Sequence, residues 1–151
     1  MFVYVFKTLK NEIWHIILGL IAAFLFYFFY HNSILSLISF LTSMLVDFDH
    51  LLEYYLAEGF SAKNFSAKIL SGENFEKIKK MYLVFHAWEY IPILYFLTIV
   101  TSKYVFIALA FGLLAHYLVD ALTNEVKPLT YFLTYRILVN FNLNKLGTRH
   151  I

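Results

Sequence analysis

The most constraining feature of the sequence is a long stretch without charged side chains. Residues 13–46 contain no Lys, Arg, Asp or Glu, and a polar His31-Asn32-Ser33 sequence divides this stretch into two apolar segments. A helix needs about 20 apolar residues to cross the hydrocarbon core of a bilayer. The stretch is therefore long enough for nearly two crossings. It predicts a hairpin of membrane helices over residues 13–30 and 33–50.

The composition agrees with this interpretation. Of the 151 residues, 61% are hydrophobic and 21% aromatic, whereas 15% are charged, which is too apolar for an ordinary soluble domain. The basic residues are scattered, so we expect no nucleic-acid partner. The sequence contains no cysteine, so any metal ion must take its ligands from His and carboxylate side chains.

Two more apolar segments, residues 82–101 and 104–122, predict a third and a fourth spanning helix. We therefore expect one all-α domain over residues 1–151, an integral membrane bundle of four transmembrane helices. The polar segment 58–80 suits an amphipathic piece on the cytoplasmic surface, with a solvated loop as the alternative. Beyond a break at Lys127-Pro128, the tail over residues 125–151 is expected to lie at the membrane interface.

The distribution of basic residues predicts the orientation. If the N-terminus is cytoplasmic, four crossings place every Lys and Arg except Lys103 on the cytoplasmic side, as the positive-inside rule requires. We therefore expect a multi-pass protein of the cell (inner) membrane with both termini in the cytoplasm.

Ionisable side chains inside the predicted helices are the candidate functional residues. Each costs about 2.5–3.5 kcal/mol at the centre of a membrane helix, so its presence needs a reason. They lie near the cytoplasmic ends of all four predicted helices: His15 in the first, Asp47, Asp49 and His50 in the second, His86 and Glu89 in the third, and His116 and Asp120 in the fourth.

The spacing of two pairs predicts a shared site. His86 and Glu89 are three residues apart and His116 and Asp120 are four apart, so each pair would share one helical face. Related Glu-x-x-His pairs supply the ligands of di-metal sites in helical bundles. Imidazole and carboxylate ligands suit zinc, manganese or iron. We expect one or two divalent ions per chain, with zinc favoured.

The end of the second helix leaves two arrangements open. If the helix continues, Asp47 and His50 share a face while Asp49 turns away; if it breaks, both aspartates can reach inwards. Asp47 and His50 are expected to bind metal in either case. Asp49 and Glu89 are candidates for a further ligand or for the general base. For His15, a structural role is as plausible as metal binding.

A metal site at headgroup depth suggests hydrolysis of an amphiphilic, lipid-like substrate, because a bound ion activates water for attack on an ester or phosphoester. Membrane lipids are the expected partners. Tyr131, Tyr135 and Arg136 are candidates for binding a headgroup phosphate, although interfacial anchoring explains them equally well. The alternatives are a small proton-coupled transporter subunit and a non-catalytic lipid-binding protein. Clustering of the polar residues at one end argues against a conduction path.

Three motifs in the chain resemble a known family. They are the sequence LVDFDH over residues 45–50, the later His86, and GLLAHYLVDALT over residues 112–123 followed by Lys127-Pro128-Leu129. Together they resemble the bacterial and archaeal family of predicted membrane-bound metal-dependent hydrolases, which includes LexA-regulated inner-membrane proteins. The resemblance covers most of the chain. It implicates Asp47, Asp49, His50, His86, His116 and Asp120, with His15 in the place of an N-terminal histidine.

The central motif departs from the family pattern. Many members have His-Arg-x-x-x-His, whereas His86 is followed by Ala87, Trp88, Glu89, Tyr90 and Ile91. Both the arginine and the second histidine are missing. The resemblance therefore suggests Glu89 as the replacement ligand and leaves the phosphate-binding role of that arginine unfilled.

Overall fold

The computed structural model describes residues 2–50, 55, 80–124 and 127–146, and for residues 2–12 it describes the backbone only. The four long helices are α1, Phe2–Tyr30; α2, Ser33–Leu45; α3, Tyr90–Thr101; and α4, Val105–Thr123. A 3-10 turn, Pro128–Tyr131, and two short helices, α5, Leu133–Leu138, and α6, Leu143–Leu146, follow. The described part of the chain contains no strand, which confirms the all-α prediction.

Three segments are long and apolar enough to cross a membrane: Ile13–Tyr30, Ser33–His50 and Val105–Thr123. Large apolar side chains point away from the protein along these segments; Phe24, for example, is 66% exposed. These helices indicate a membrane protein. Helix α3 has 12 residues and a length of about 18 Å, which is shorter than a hydrocarbon core of about 30 Å. The described residues therefore provide three candidate spans rather than the four expected.

Helix α2 ends earlier than the continuous helix over residues 33–50 that the sequence suggested. Its start is capped by Asn32, whose side chain accepts a hydrogen bond from the Leu35 N–H at 3.0 Å. After Leu45 the chain turns, and the N–H groups of Asp49 and His50 bond to carbonyls three residues back. The break allows both Asp47 and Asp49 to point into the protein, which is one of the two arrangements left open above.

The third helix begins at Tyr90 instead of at residue 82, so His86 precedes the helix. Residues 81–89 form turns, and Leu83 has a left-handed backbone with φ of 38°. Backbone groups here bond to distant side chains: Arg136 donates to the carbonyl of Tyr82, and Asp49 accepts the N–H of Phe85. Such bonds replace those that a helix would supply.

Small residues allow the helices that carry the site to approach closely. Helices α1, α2 and α4 pack against one another, and α3 packs against α4. A Cβ atom at Gly112 of α4 would lie 2.3 Å from the carbonyl oxygen of Ser39, and one at Gly19 of α1 would lie 2.9 Å from the Ser43 hydroxyl. This close packing is typical of membrane helix interfaces.

The C-terminal helices pack onto the segment that precedes α3. Leu146 forms a buried apolar cluster with Met81 and Leu83, and the N–H of Met81 bonds to the carbonyl of Phe141 at 2.9 Å. The described part of the tail is thus joined to the turn that carries His86. The predicted surface segment 58–80 lies outside the described residues except for Lys80, as do residues 125–126 and 147–151 of the predicted tail.

Candidate metal site

Six of the eight residues predicted from the sequence belong to a cluster of potential metal ligands. Their ligand atoms form three overlapping groups, each with all atoms within 4.8 Å of one another: His15, Asp47 and His116; Asp47, His50 and His86; and His86, His116 and Asp120. They come from α1, the turn after α2, the turn before α3, and α4. The fold therefore brings these residues together in groups that could hold a metal ion.

Each of two carboxylate oxygens lies at ligand spacing from both central imidazole nitrogens. The Nε2 atoms of His86 and His116 lie 3.1 Å apart. Asp47 Oδ1 is 3.3 Å from the first and 3.4 Å from the second, and Asp120 Oδ2 is 3.4 and 3.5 Å from them. Nitrogen and oxygen ligands about 2.0–2.1 Å from a tetrahedral zinc ion are separated by about 3.4 Å. These five separations fit such an ion.

The carboxylate of Asp120 is held by one oxygen and leaves the other facing the centre. Its Oδ1 accepts a hydrogen bond from the Asn124 amide at 2.9 Å and lies 3.5 Å from His15 Nε2. Its Oδ2 is buried and has no hydrogen-bond partner. A buried carboxylate oxygen without a donor is costly unless a cation binds it. The Nε2 atoms of His86 and His116 lie 3.4 and 3.5 Å from this oxygen, and a cation held between the three atoms would satisfy it.

One carboxylate and one backbone carbonyl orient the two central imidazoles. Asp49 Oδ2 lies 2.9 Å from His86 Nδ1, and the Ser43 carbonyl oxygen lies 2.8 Å from His116 Nδ1. Each contact favours a proton on Nδ1, so that the Nε2 lone pair faces the centre. Metal-binding histidines commonly have such partners. Asp49 thus lies behind His86, outside the three groups of converging ligands.

The electrostatic environment of His86 attracts positive charge. Burial of the ring disfavours its protonation, but hydrogen bonds with the carboxylates of Asp47 and Asp49 outweigh burial and raise the pKa of His86 to about 9. Without a metal ion, a proton on the His86 ring partly neutralises the negative charge of these carboxylates. The same negative charge stabilises a divalent cation.

One edge of the cluster is accessible. The side chains of Asp47 and His50 are 31% and 37% exposed, whereas those of His86 and His116 are almost fully buried. His50 Nε2 lies 3.5 Å from Asp47 Oδ1. The cluster therefore has a fully buried side and a partly exposed side.

Glu89 lies apart from the converging ligands and binds the start of α5. Its carboxylate accepts the N–H groups of Leu133 and Thr134 at 3.0 and 2.9 Å, together with the Thr134 hydroxyl at 2.8 Å. Burial would raise the pKa of Glu89, but these hydrogen bonds hold the pKa below its usual value. The expected pairing of His86 with Glu89 required a helix from residue 82, and the turn before Tyr90 separates their side chains. The geometry gives Glu89 the role of a helix cap.

Two residues support the site in roles that the sequence did not predict. Arg136, expected at the headgroups, is fully buried, and its guanidinium donates to the carbonyl oxygens of Tyr82, Leu83 and His86. Asn124 holds Asp120 and also bonds to the Tyr131 hydroxyl at 3.0 Å. Asn124 follows Asp120 by four residues, a helical spacing that could have revealed it, whereas no local pattern marks Arg136.

Comparison of the chain with protein-family models, curated proteins and solved structures gives no match.

Proposed function

We propose that the protein is a membrane-embedded, metal-dependent hydrolase. The observation that carries the proposal is the arrangement of His86, His116, Asp47 and Asp120, in which one oxygen of each carboxylate lies 3.3–3.5 Å from the Nε2 atoms of both histidines. The motifs that resemble the predicted membrane-bound hydrolases contribute the same residues. A mixed imidazole and carboxylate set suits zinc, with manganese or iron as alternatives.

Each residue of the cluster has a distinct role in this proposal. The four central groups hold the ion, and His15 and His50 are placed to complete its coordination or to help to hold a second ion. A divalent ion held by these residues would supply Lewis-acid chemistry: it would lower the pKa of a water molecule to about 7 and polarise an ester or phosphoester. Asp49 holds His86 in the tautomer that binds metal. His50, at the open edge, is positioned to take a proton from water.

We further propose that α3 makes a fourth, short crossing and that both termini are cytoplasmic. This orientation follows the positive-inside rule and places the cluster at the cytoplasmic end of the bundle in the inner membrane. A substrate that reaches this depth is amphiphilic, with its ester or phosphoester at the cluster and its hydrocarbon among the lipids. The tail over residues 125–151 would then lie near the headgroups.

The metal content of the purified protein tests the site. Protein prepared without chelator should contain stoichiometric zinc, manganese or iron by elemental analysis, and His116→Ala and Asp47→Ala should lose it. His31→Ala is the matched control, because His31 is exposed in the hairpin between α1 and α2. Metal content that is unchanged in both site variants would refute the proposal.

Turnover separates hydrolysis from the two alternative functions. In proteoliposomes, a hydrolase should cleave an ester or phosphoester lipid only with metal present, and His116→Ala should abolish cleavage. Ion or solute flux that survives chelation would instead support a transporter subunit. A lipid that copurifies intact with metal bound, and is not cleaved, would support a binding protein.

A further inference from the structure

A largely apolar groove is lined by residues that directly precede two of the candidate metal ligands. It has a volume of about 240 Å³ and is lined by Thr42, Leu45, Val46, Phe85, Tyr90 and Leu113. Helices α2 and α3 both pack on α4, but among the described residues they make few contacts with each other. The groove lies between them with Leu113 of α4 contributing to its wall.

The groove is continuous with the metal site along the chain. Val46 immediately precedes Asp47, and Phe85 immediately precedes His86. Thr42 is five residues before Asp47, which corresponds to about 7.5 Å along a helix. The groove therefore neighbours the cluster through Val46 and Phe85, and its Thr42 end lies further along α2 towards the hairpin.

The lining suits hydrocarbon. Four of the six residues have purely apolar side chains, and the hydroxyls of the other two are engaged: Thr42 donates to the Ile38 carbonyl and Tyr90 to the Val84 carbonyl, each at 2.8 Å. Leu45 and Phe85, at the rim, are both 50% exposed, so the groove is open to the lipid. A polar headgroup would find few partners within it, whereas a hydrocarbon chain needs none.

We propose, on the basis of the hydrolase function above, that this groove binds one acyl chain of a membrane phospholipid. The lipid enters sideways between α2 and α3, its chain lies along Leu45, Phe85 and Leu113, and its ester or phosphoester reaches the open edge at Asp47 and His50. The substrate class is therefore an acyl-chain lipid drawn from the bilayer, and water-soluble esters and phosphoesters lack the group that the groove binds.

Photo-crosslinking tests this assignment. The full chain is reconstituted in vesicles of phosphatidylcholine and phosphatidylglycerol that contain a trace of phospholipid with a diazirine on one acyl chain, and labelled peptides are identified by mass spectrometry. We expect labelling at Phe85 and Tyr90 to exceed severalfold that at Phe96 and Ile99, which are each 62% exposed on α3. Equal labelling of the two sets would mean ordinary lipid contact and would overturn the proposal.

Matched variants test whether labelling reflects binding in the groove rather than the exposure of the labelled residues. Leu45→Trp should fill the rim and abolish labelling of Phe85 and Tyr90, whereas Leu37→Trp, at a 55% exposed position outside the groove on the same helix, should not. Phe85→Ala, which removes a wall, should also reduce labelling of Tyr90. Unchanged labelling in Leu45→Trp and Phe85→Ala would refute the binding of an acyl chain in the groove.

The two proposals can fail separately in the same preparations. Metal content measured on the wild type reports on the hydrolase proposal, and the labelling pattern reports on the groove. Selective labelling without metal would refute the hydrolase while supporting the acyl-chain site. Stoichiometric metal with uniform labelling would refute the acyl-chain site alone.

Discussion

His86 Nδ1 lies 2.9 Å from Asp49 Oδ2, and both side chains are almost fully buried. The same carboxylate oxygen accepts the Phe85 N–H at 2.8 Å. Asp49 therefore fixes both the ring and the backbone of the turn that brings His86 to the cluster. A carboxylate behind a histidine also increases the basicity of its other ring nitrogen. The contact makes Asp49 a positioning residue for His86.

Asp49→Asn should weaken metal binding without abolishing it. The neutral amide can still accept the two N–H groups but no longer polarises the imidazole, so we expect metal affinity to fall about 10–100-fold. Competition with a chromogenic chelator measures this change. Asp47→Asn, which alters a converging ligand, should cause the larger loss. Equal losses of metal affinity in the two variants would indicate that Asp49 is itself a metal ligand. An unchanged affinity in Asp49→Asn would contradict its proposed role in positioning His86.

Glu89→Gln distinguishes a helix cap from a metal ligand. Because the Glu89 carboxylate bonds to Leu133 and Thr134, the variant should keep its full metal content. A ligand role would instead cause metal loss comparable with that of Asp47→Asn. Elemental analysis of the two variants, purified side by side, decides between these roles.

The same residue predicts a dependence of stability on pH. The pKa of Glu89 is lower in the folded protein than its ordinary value of 4.5, so its contribution to stability is present above that value and is lost as the pH falls through the folded pKa. The stability advantage of the wild type over Glu89→Gln should therefore shrink below about pH 4.5. Thermal unfolding of both proteins between neutral and acidic pH measures it. An advantage that does not change with pH would contradict the capping role.

Local spacing in the sequence accounts for the part of the site that lies on helices. His116 and Asp120, four residues apart on α4, belong to the same group of converging ligands, as their periodicity predicted. His15 also joins the cluster, because α1 packs against α4. These residues could be predicted because the period of a helix and the rarity of charge in apolar segments are visible in one dimension.

The supporting residues could not be predicted in this way because their contacts join distant parts of the chain. Arg136 bonds to a carbonyl fifty residues earlier, that of His86, and Asp49 bonds to the same turn. These bonds favour a turn where the apolar sequence favoured a helix. The start of α3 at Tyr90 and the different role of Glu89 follow from them. Tertiary contacts thus override the local preference of this apolar segment for a helix.

Arg136→Met should destabilise the protein strongly. The substitution removes the donors for three carbonyl oxygens in the turn that carries His86, and each lost bond of a buried group costs about 1–3 kcal/mol. We expect the free energy of unfolding to fall by about 3 kcal/mol or more, together with metal affinity. Arg136→Lys should be intermediate, because an ammonium keeps the charge but lacks the planar fork.

The control for Arg136 is Lys145, an exposed cation of the same C-terminal region. Lys145→Met should change the free energy of unfolding by less than about 0.5 kcal/mol. Chemical denaturation in detergent, followed by the fluorescence of the two tryptophans, compares all three variants. Equal stability of Arg136→Met and Lys145→Met would show that the guanidinium does not support the turn.

Gly112 and Gly19 form a matched pair that tests the close packing behind the site. Alanine at Gly112 would place its Cβ atom 2.3 Å from a backbone oxygen, that of Ser39, whereas alanine at Gly19 would meet the Ser43 hydroxyl at 2.9 Å. A hydroxyl can rotate, but moving a backbone oxygen requires α2 and α4 to separate. Overpacking of this kind costs about 1–3 kcal/mol, partly offset by the helix propensity of alanine, about 1 kcal/mol better than glycine.

We therefore expect Gly112→Ala to lower the unfolding temperature and Gly19→Ala to leave it nearly unchanged. Because Gly112 is one helical turn from His116, separation of α2 and α4 should also move His116 Nε2 away from Asp47 Oδ1, which lies 3.4 Å from it. Metal affinity should then fall in Gly112→Ala and stay at the wild-type value in Gly19→Ala. Equal unfolding temperatures and equal metal affinities in the two variants would mean that the approach of α2 to α4 does not set the geometry of the cluster.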